Sequence, residues 1–346
     1  MKTLIVGGGL SGLALAYALE QQERDYLLIE ARDRFGGRMK TISQGDGTFD
    51  LGPAWFWPGQ PRISALVDEL GLEKFDQYAD GSLTFEDEQG QVQRGRGFSS
   101  MEGSWRLKGS FGALINALVT RIPHHKRQLG APVTQLTNTD AGITAQLGNG
   151  DSVIADKAVL ALPPRIAAGL SFSPSLPENT IRAMQSIPTW MAGQAKAIAI
   201  YDSPFWREAG LSGDAMSRHG PMVEIHDASP NTGGPFALFG FIGVPPQNRQ
   251  DEKLLRHHLL AQLVRLFGPD AAFPVALHVK DWAFDPFTST EADLVPLSTH
   301  PHYALPPEMA SLWGHTLLFG GTEVAPQFGG FIEGALEAAE TMLAAL

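Results

Sequence analysis

The sequence predicts an α/β protein, with a Rossmann-like dinucleotide-binding unit at the amino terminus and a second, strand-rich α+β unit further along the chain. Three observations carry that prediction. The segment "TLIVGGG" reads as a buried strand entering a glycine turn, and "LSGLALAYALE" then brings Leu10, Leu13, Ala14, Tyr17 and Ala18 round at helical spacing. A further strand, "DYLLIE", ends on Glu30, 18 residues beyond Gly12. Between about residues 167 and 299, the strand-like runs "AKAIAIYD", "FALFGFIGV" and "VALHVKDWAF" enclose one strong helical pattern, "DEKLLRHHLLAQLVRLFG".

The turn after the first strand is Gly7-x-Gly9-x-x-Gly12. In a strand-turn-helix unit such glycines allow the tight turn, the approach of backbone to a pyrophosphate and close helix packing, and the helix amino terminus offers unpaired N–H groups to the phosphates. Glu30 stands where a carboxylate accepts hydrogen bonds from both hydroxyls of an adenosine ribose, and its charge disfavours a 2′-phosphate. In "EARDRFGGRM" it is followed by Arg32, Arg34, Gly36, Gly37 and Arg38, which read as a second backbone-lined anion site or, alternatively, as a solvated basic loop.

Further along, "PRISALVDELGLEKF" predicts an amphipathic helix that Gly71 helps to end, and "ADGSLTFEDEQGQVQRGRG" predicts a solvent-facing hairpin. "GSFGALINALVTRI" is another helix. Residues 131–164 alternate with period two between turn signals, and the last of these strands is stopped by Pro163 and Pro164. The carboxyl-terminal stretch predicts a buried strand, a glycine turn, a loop and a helix of small residues. One position breaks the pattern. In "QAKAIAIYDSPFWR", Lys196 is in phase with Ile198 and Ile200 and opposite Ala195, Ala197 and Ala199. If the alanine side packs closely, its ammonium faces a cavity; the generic alternative is a strand-end lysine snorkelling to water.

Composition excludes several chemistries. The 346 residues are 43% apolar, enough for a substantial core, and contain no cysteine, so disulfides, thiolate metal sites, cysteine nucleophiles and thioether-linked cofactors are ruled out. A formal charge of −11 argues against a nucleic-acid partner. The histidines at 124–125, 257–258, 300 and 302 form no helical HExxH pattern and read as surface or loop residues, with no metal expected. The short run before the glycine turn leaves no room for a signal peptide and no window reads as a membrane span, so a cytoplasmic protein without a membrane anchor is expected. Oligomeric state is not legible.

The chain resembles the flavin-containing amine oxidases, the monoamine oxidase family. Gly7 to Leu13, Ser11 included, matches their GGGxSGL turn, Glu30 to Arg38 matches EARxRxGGR, and "FDLGPAWFW" resembles the segment that passes the isoalloxazine. The resemblance runs from about Thr3 to the end. It implies an FAD-binding Rossmann-like domain with an inserted α+β substrate domain built on a mixed sheet. The corresponding division is 1–60, 103–165 and 310–346 for FAD and 61–102 and 166–309 for substrate. It implies FAD contacts at Gly7, Gly9, Ser11, Gly12, Glu30, Ala31, Arg32, Gly37, Arg38, Gly52, Pro53, Ala54 and Trp55. Val133 is expected against the adenine. Gly321, Glu323, Phe331 and Ile332 are expected where the last strand and helix return to the flavin. The chain is shorter than is usual for the family, and the difference is expected in the substrate domain.

The resemblance also gives Lys196 a role, holding a water against flavin N5, where a fixed cation stabilises the negative charge that develops on dioxygen. The activity implied is oxidation of a small amine by O2, with hydride equivalents passing from the α-carbon to N5, imine hydrolysis to a carbonyl, and release of hydrogen peroxide. FAD is expected to be noncovalent, since the family's linking cysteine is missing. Two tyrosines flank the substrate in animal-type members; here one position is Phe331, and the other, counted from Trp282, falls near Glu291 and Ala292, so Trp282, Phe331 and Ala292 are the expected substrate-pocket residues. Glu291 or Asp293 reads either as an anchor for a cationic substrate or as a solvated loop carboxylate, and Glu224 and His226 carry no assigned role. The same signature is compatible with C–C chemistry of the desaturase or protoporphyrinogen oxidase type, and with a flavin-binding protein that does not turn over.

Overall fold

A computed structural model describes residues 1–295 and 297–346. Its first sheet has five parallel strands in the order Leu317–Phe319, Lys157–Leu160, Thr3–Val6, Tyr26–Ile29 and Arg127–Gln128. Both faces are covered, as apolar runs in a parallel sheet require. Successive side chains alternate between the two cores: Ile5, Leu28, Val159 and Leu318 pack against the helices Leu10–Gln21, Ser110–Arg121 and Ile332–Ala345. Leu4, Val6, Ile29 and Leu160 pack against the strands Val133–Thr139, Gly142–Leu147 and Ser152–Ala155. Close packing in this unit depends on Gly12, where a Cβ would lie 1.9 Å from the Gly7 carbonyl oxygen.

The second unit is a mixed seven-stranded sheet in the order Ala276–Asp281, Ala195–Tyr201, Phe236–Ile242, Met222–Asp227, Leu211–Ser217, Ser82–Glu86 and Val92–Arg94. Neighbours run antiparallel except Leu211–Ser217 with Ser82–Glu86. On one face Ala195, Ala197 and Ala199 bury against Leu255, Leu259, Leu263 and Leu266 of the helix Glu252–Phe267. Its first turn is capped by Asp251, whose carboxylate accepts from Leu254 N at 3.0 Å. On the other face Ile198, Ile200 and Phe239 meet Phe49, Leu51 and Trp55 of the first unit, so this joint puts the isoleucine side of the Lys196 strand against the dinucleotide fold.

Two expectations need correction. The helix Pro61–Glu69 belongs with the first unit: Ile63, Leu66 and Val67 enter its core, and the Glu333 carboxylate accepts from Arg62 N at 3.0 Å and Ile63 N at 2.9 Å. The first unit also continues past residue 165, because Ser171–Ser173 pairs with Val133–Thr139 and Leu176, Met184 and Ile187 bury with Leu136. The hairpin expected here forms between Ser82–Glu86 and Val92–Arg94 at the edge of the large sheet, joined there by Leu211–Ser217. That strand and Met222–Asp227 show no regular period-two pattern in the sequence, since each carries a register shift and Gly213 sits at φ +85. Among the described residues no helix is long and apolar enough to cross a membrane, and no group of three or more His, Cys, Asp or Glu side chains could hold a metal.

Candidate active site

A continuous cleft of about 620 Å³ opens at the carboxyl ends of the parallel strands, where Gly7, Glu30, Ala161 and Gly321 follow four of them. At one end the buried Glu30 carboxylate, 3% exposed, accepts from Gly8 N at 2.7 Å and from Arg32 N at 2.9 Å. Ala31, Arg32 and Val133 line the wall beside it. The Arg32 guanidinium is held from the second unit, 2.5 Å from Asp285 and 3.0 Å from the Thr288 hydroxyl. This end matches the requirements of an adenosine: a fixed acceptor for ribose hydroxyls and an apolar wall for the base.

In the middle of the cleft the two glycine turns lie side by side, with Gly36 N donating to Gly8 O at 2.8 Å and a bridge between Gly9 and Gly36. Gly7, Gly9, Ser11, Gly37 and Arg38 face the opening, and the Ser11 hydroxyl donates to the Gly320 carbonyl. Burial works against the charge on Arg38, but Glu323, 2.5 Å away, more than offsets it and raises the guanidinium pKa. Glu323 is fully buried, and its Oε2 has no partner among the described residues. A buried orphan acceptor costs free energy unless something donates to it. FAD fits here: Glu323 Oε2 offers an acceptor beside the cleft, and a Cβ at Gly9 would meet nothing within 4 Å. Gly12 does not line the cleft; its place is in the helix packing described above.

At the far end the lining becomes apolar: Pro53, Ala54, Trp55, Trp57, Met101, Phe241, Trp282, Phe331 and Ile332, with Gly52 and Lys196 among them. Lys196 is 6% exposed and does not snorkel; its Nζ donates to Gly52 O at 2.6 Å and lies 4.9 Å from the Phe241 ring centre. Burial depresses its pKa from 10.5 to about 8, with Asp50 pulling the other way. Asp50 is itself pushed up to about 6 by burial, although it accepts from Thr41 at 2.5 Å and Phe111 N at 3.0 Å. The Trp282 indole donates to Leu51 O at 2.9 Å, pinning that ring against the same segment. Gly52 is required by crowding, since a Cβ there would lie 2.0 Å from Arg38 O.

Ala292, expected in the substrate pocket, lies elsewhere. It is exposed, on a short turn at Glu291–Asp293 that borders a small neighbouring cavity, and not on the main cleft. Counting from Trp282 fails because the chain folds back through turns at Asp285–Ser289. Asp293 is tied to Arg165 at 2.5 Å and does not reach the cleft as a substrate anchor. Beside Phe331, which is 38% exposed, the structure places His300, whose ring stacks on it at 4.7 Å and 14°. Trp190 closes on His300 at 4.9 Å. Phe241, Met101 and Trp190 were not singled out from the sequence either: Phe241 faces Lys196 across the sheet register, which the linear order does not display.

A family model described as flavin containing amine oxidoreductase matches residues 93–342, and one described as an NAD(P)-binding Rossmann-like domain matches residues 5–70. The chain is similar to a probable flavin-containing monoamine oxidase A of Dictyostelium discoideum, 25% identical over 435 residues covering 96% of this chain and 94% of the relative. It is similar also to an L-amino acid dehydrogenase of Synechocystis sp., 26% identical over 458 residues covering 99% and 94%. In fold it is similar to wild-type putrescine oxidase bound to putrescine, with a TM-score of 0.83, 21% identity and coverage of 99% and 98% of the two chains. Cyclohexylamine oxidase from Brevibacterium oxydans IH-35A gives the same TM-score of 0.83 at 22% identity, with coverage of 99% and 98%.

Proposed function

The chain belongs to the flavin containing amine oxidoreductase family and is an FAD enzyme, and from that premise we propose that it oxidises a small amine bearing an apolar substituent, with dioxygen as the electron acceptor. FAD, when bound, would supply the two-electron redox chemistry that couples oxidation of the carbon bearing the nitrogen to reduction of dioxygen to hydrogen peroxide. The residues of the chain do the rest. Glu30 and the glycine turns would hold the dinucleotide without a covalent link, and Arg38 with Glu323 would orient its middle. The imine product hydrolyses in water to an aldehyde or ketone.

One observation carries the reading: a lysine ammonium held in a dry, aromatic end of the cleft. Lys196 is anchored by Gly52 O and flanked by Phe239 and Phe241, where a charge is costly unless it is used. A preorganised cation in such a place stabilises negative charge developing on dioxygen or on a bound water. The substituent follows from the lining, because Glu30 is the one carboxylate on the cleft wall among the described residues and it lies at the adenosine end. Trp55, Trp57, Met101, Trp282 and Phe331 suit a hydrocarbon group.

The test is spectroscopic. Purified yellow protein is mixed anaerobically with a panel of amines, and the visible flavin band is followed. Bleaching by an apolar monoamine, and weaker bleaching by a diamine of similar length, is the expected result. A flavin that no amine bleaches refutes amine oxidation, and bleaching by an unsaturable hydrocarbon substrate instead would establish C–C chemistry.

A further inference from the structure

His226 lies outside the cleft wall, buried to 1% exposure in the strand Met222–Asp227. Both ring nitrogens face carboxylates: Nδ1 is 2.7 Å from Asp214 Oδ1 and Nε2 is 2.9 Å from Glu224 Oε1. This geometry suits an imidazolium, which would donate from both nitrogens to carboxylates that, when ionised, only accept. Each carboxylate in turn receives a serine hydroxyl from one loop, Ser99 on Asp214 and Ser100 on Glu224. The next residue, Met101, lines the cleft, and its carbonyl accepts from the Ser104 hydroxyl at 2.6 Å. On its other side His226 meets the edge of Trp55, a second cleft residue, at 5.3 Å between ring centres.

We propose that His226 is a positioning residue for the substrate end of the cleft: as the cation between Asp214 and Glu224 it holds the Ser99–Ser100 loop, and through that loop and Trp55 it sets where Met101 and the indole stand. The proposal rests on the reading that this end of the cleft receives the amine. The groups facing the ring are few. Asp214 comes from the strand Leu211–Ser217, Glu224 from its own strand, the two serines from the loop, and the neutral rings of Trp55 and Phe239 from the cleft side. Arg96 borders the same small cavity but is engaged with Gln93 and the Phe85 ring, and Asp227 on the same strand is paired with Arg207 at 2.6 Å. Burial lowers the imidazole pKa and the two carboxylates raise it, with a net rise above the ordinary 6.5. The clamp is therefore complete below about 6.5 and is lost as pH climbs through the raised value.

The test uses the FAD-loaded protein. Nitrogen NMR of the His226 ring near neutral pH should show an imidazolium, and backbone hydrogen exchange over residues 98–101 should quicken as pH passes the ring's titration, after correction for the intrinsic pH dependence of exchange. The S99A/S100A double variant leaves the His226 bridge intact and cuts the loop free. It should raise exchange at 98–101 by about tenfold and raise KM for a bleaching amine by a similar factor, with kcat and FAD retention unchanged. His226→Gln should move KM in the same direction. A neutral ring near pH 7, exchange at 98–101 that ignores both the variant and the pH, or an unchanged KM overturns the proposal. Failure of every amine to bleach the wild-type flavin refutes the amine reading instead, and the exchange and NMR measurements still decide whether His226 holds the loop.

Discussion

Replacing Lys196 with methionine removes the ammonium and leaves an unbranched apolar side chain one atom shorter. In the native protein the charge is held against its natural tendency. The fall of its pKa from 10.5 to about 8 on burial corresponds to about 3 kcal/mol favouring the neutral amine. The opposing loss is the 2.6 Å hydrogen bond to Gly52 O, whose unpaired carbonyl costs about 1–3 kcal/mol. The two nearly cancel, so Lys196→Met should fold, bind FAD and melt close to the wild-type temperature. The chemistry should not be spared. A preorganised donor aimed at developing negative charge in a water-excluded site contributes about 3 kcal/mol, so reoxidation of reduced flavin by oxygen should slow about 100-fold. Stopped-flow mixing of the photoreduced protein with oxygenated buffer, followed at the flavin band, measures that rate directly. The wild-type rate should also fall as pH rises through about 8, where the ammonium is lost, and the methionine variant should show no such fall. Unchanged reoxidation in a variant that retains its flavin would refute the assignment of Lys196 to oxygen chemistry.

Other outcomes follow from the same geometry. The Asp50 carboxylate raises the Lys196 pKa, so Asp50→Asn should move the fall in reoxidation to a lower pH, as read from the same stopped-flow profile. Glu30→Ala strips a buried acceptor from Gly8 N and Arg32 N and removes the proposed ribose acceptor, and should weaken FAD binding by about 100-fold or more in a titration of apoprotein monitored by flavin fluorescence. Gly12→Ala forces a Cβ to within 1.9 Å of Gly7 O, and the apoprotein should lose several degrees of melting temperature by circular dichroism before any cofactor is added.

Local patterns in the sequence carried most of the dinucleotide half. Strand, glycine turn, helix and the terminal acid at Glu30 are all set by neighbours within some 30 residues. They can therefore be read in linear order, and the structure collects Gly7, Gly9, Ser11, Glu30, Arg38 and Gly52 on one cleft. The substrate half was legible in class but not in detail. Lys196 was visible because a single charge broke an apolar alternation, whereas its ring partners Phe239 and Phe241 belong to a strand more than 30 residues away whose register is a long-range property.

Ala292 marks the limit of counting along a chain. A residue number fixes distance along a regular element, but turns such as those at Asp285–Ser289 reset direction, and the ring beside Phe331 turned out to be His300. The Asp214–His226–Glu224 bridge shows the same limit from the other side, because two residues of one strand and one of its neighbour become a charged unit only when the sheet aligns them. The sequence by itself determined the α/β class, the dinucleotide fold and the one lysine that interrupts an apolar strand, since each depends on periodicity or on a charge in apolar surroundings. Only the tertiary structure decided the unit boundaries, the aromatic end of the cleft and the neighbours of His226, because those depend on which distant strands pair and where their side chains meet.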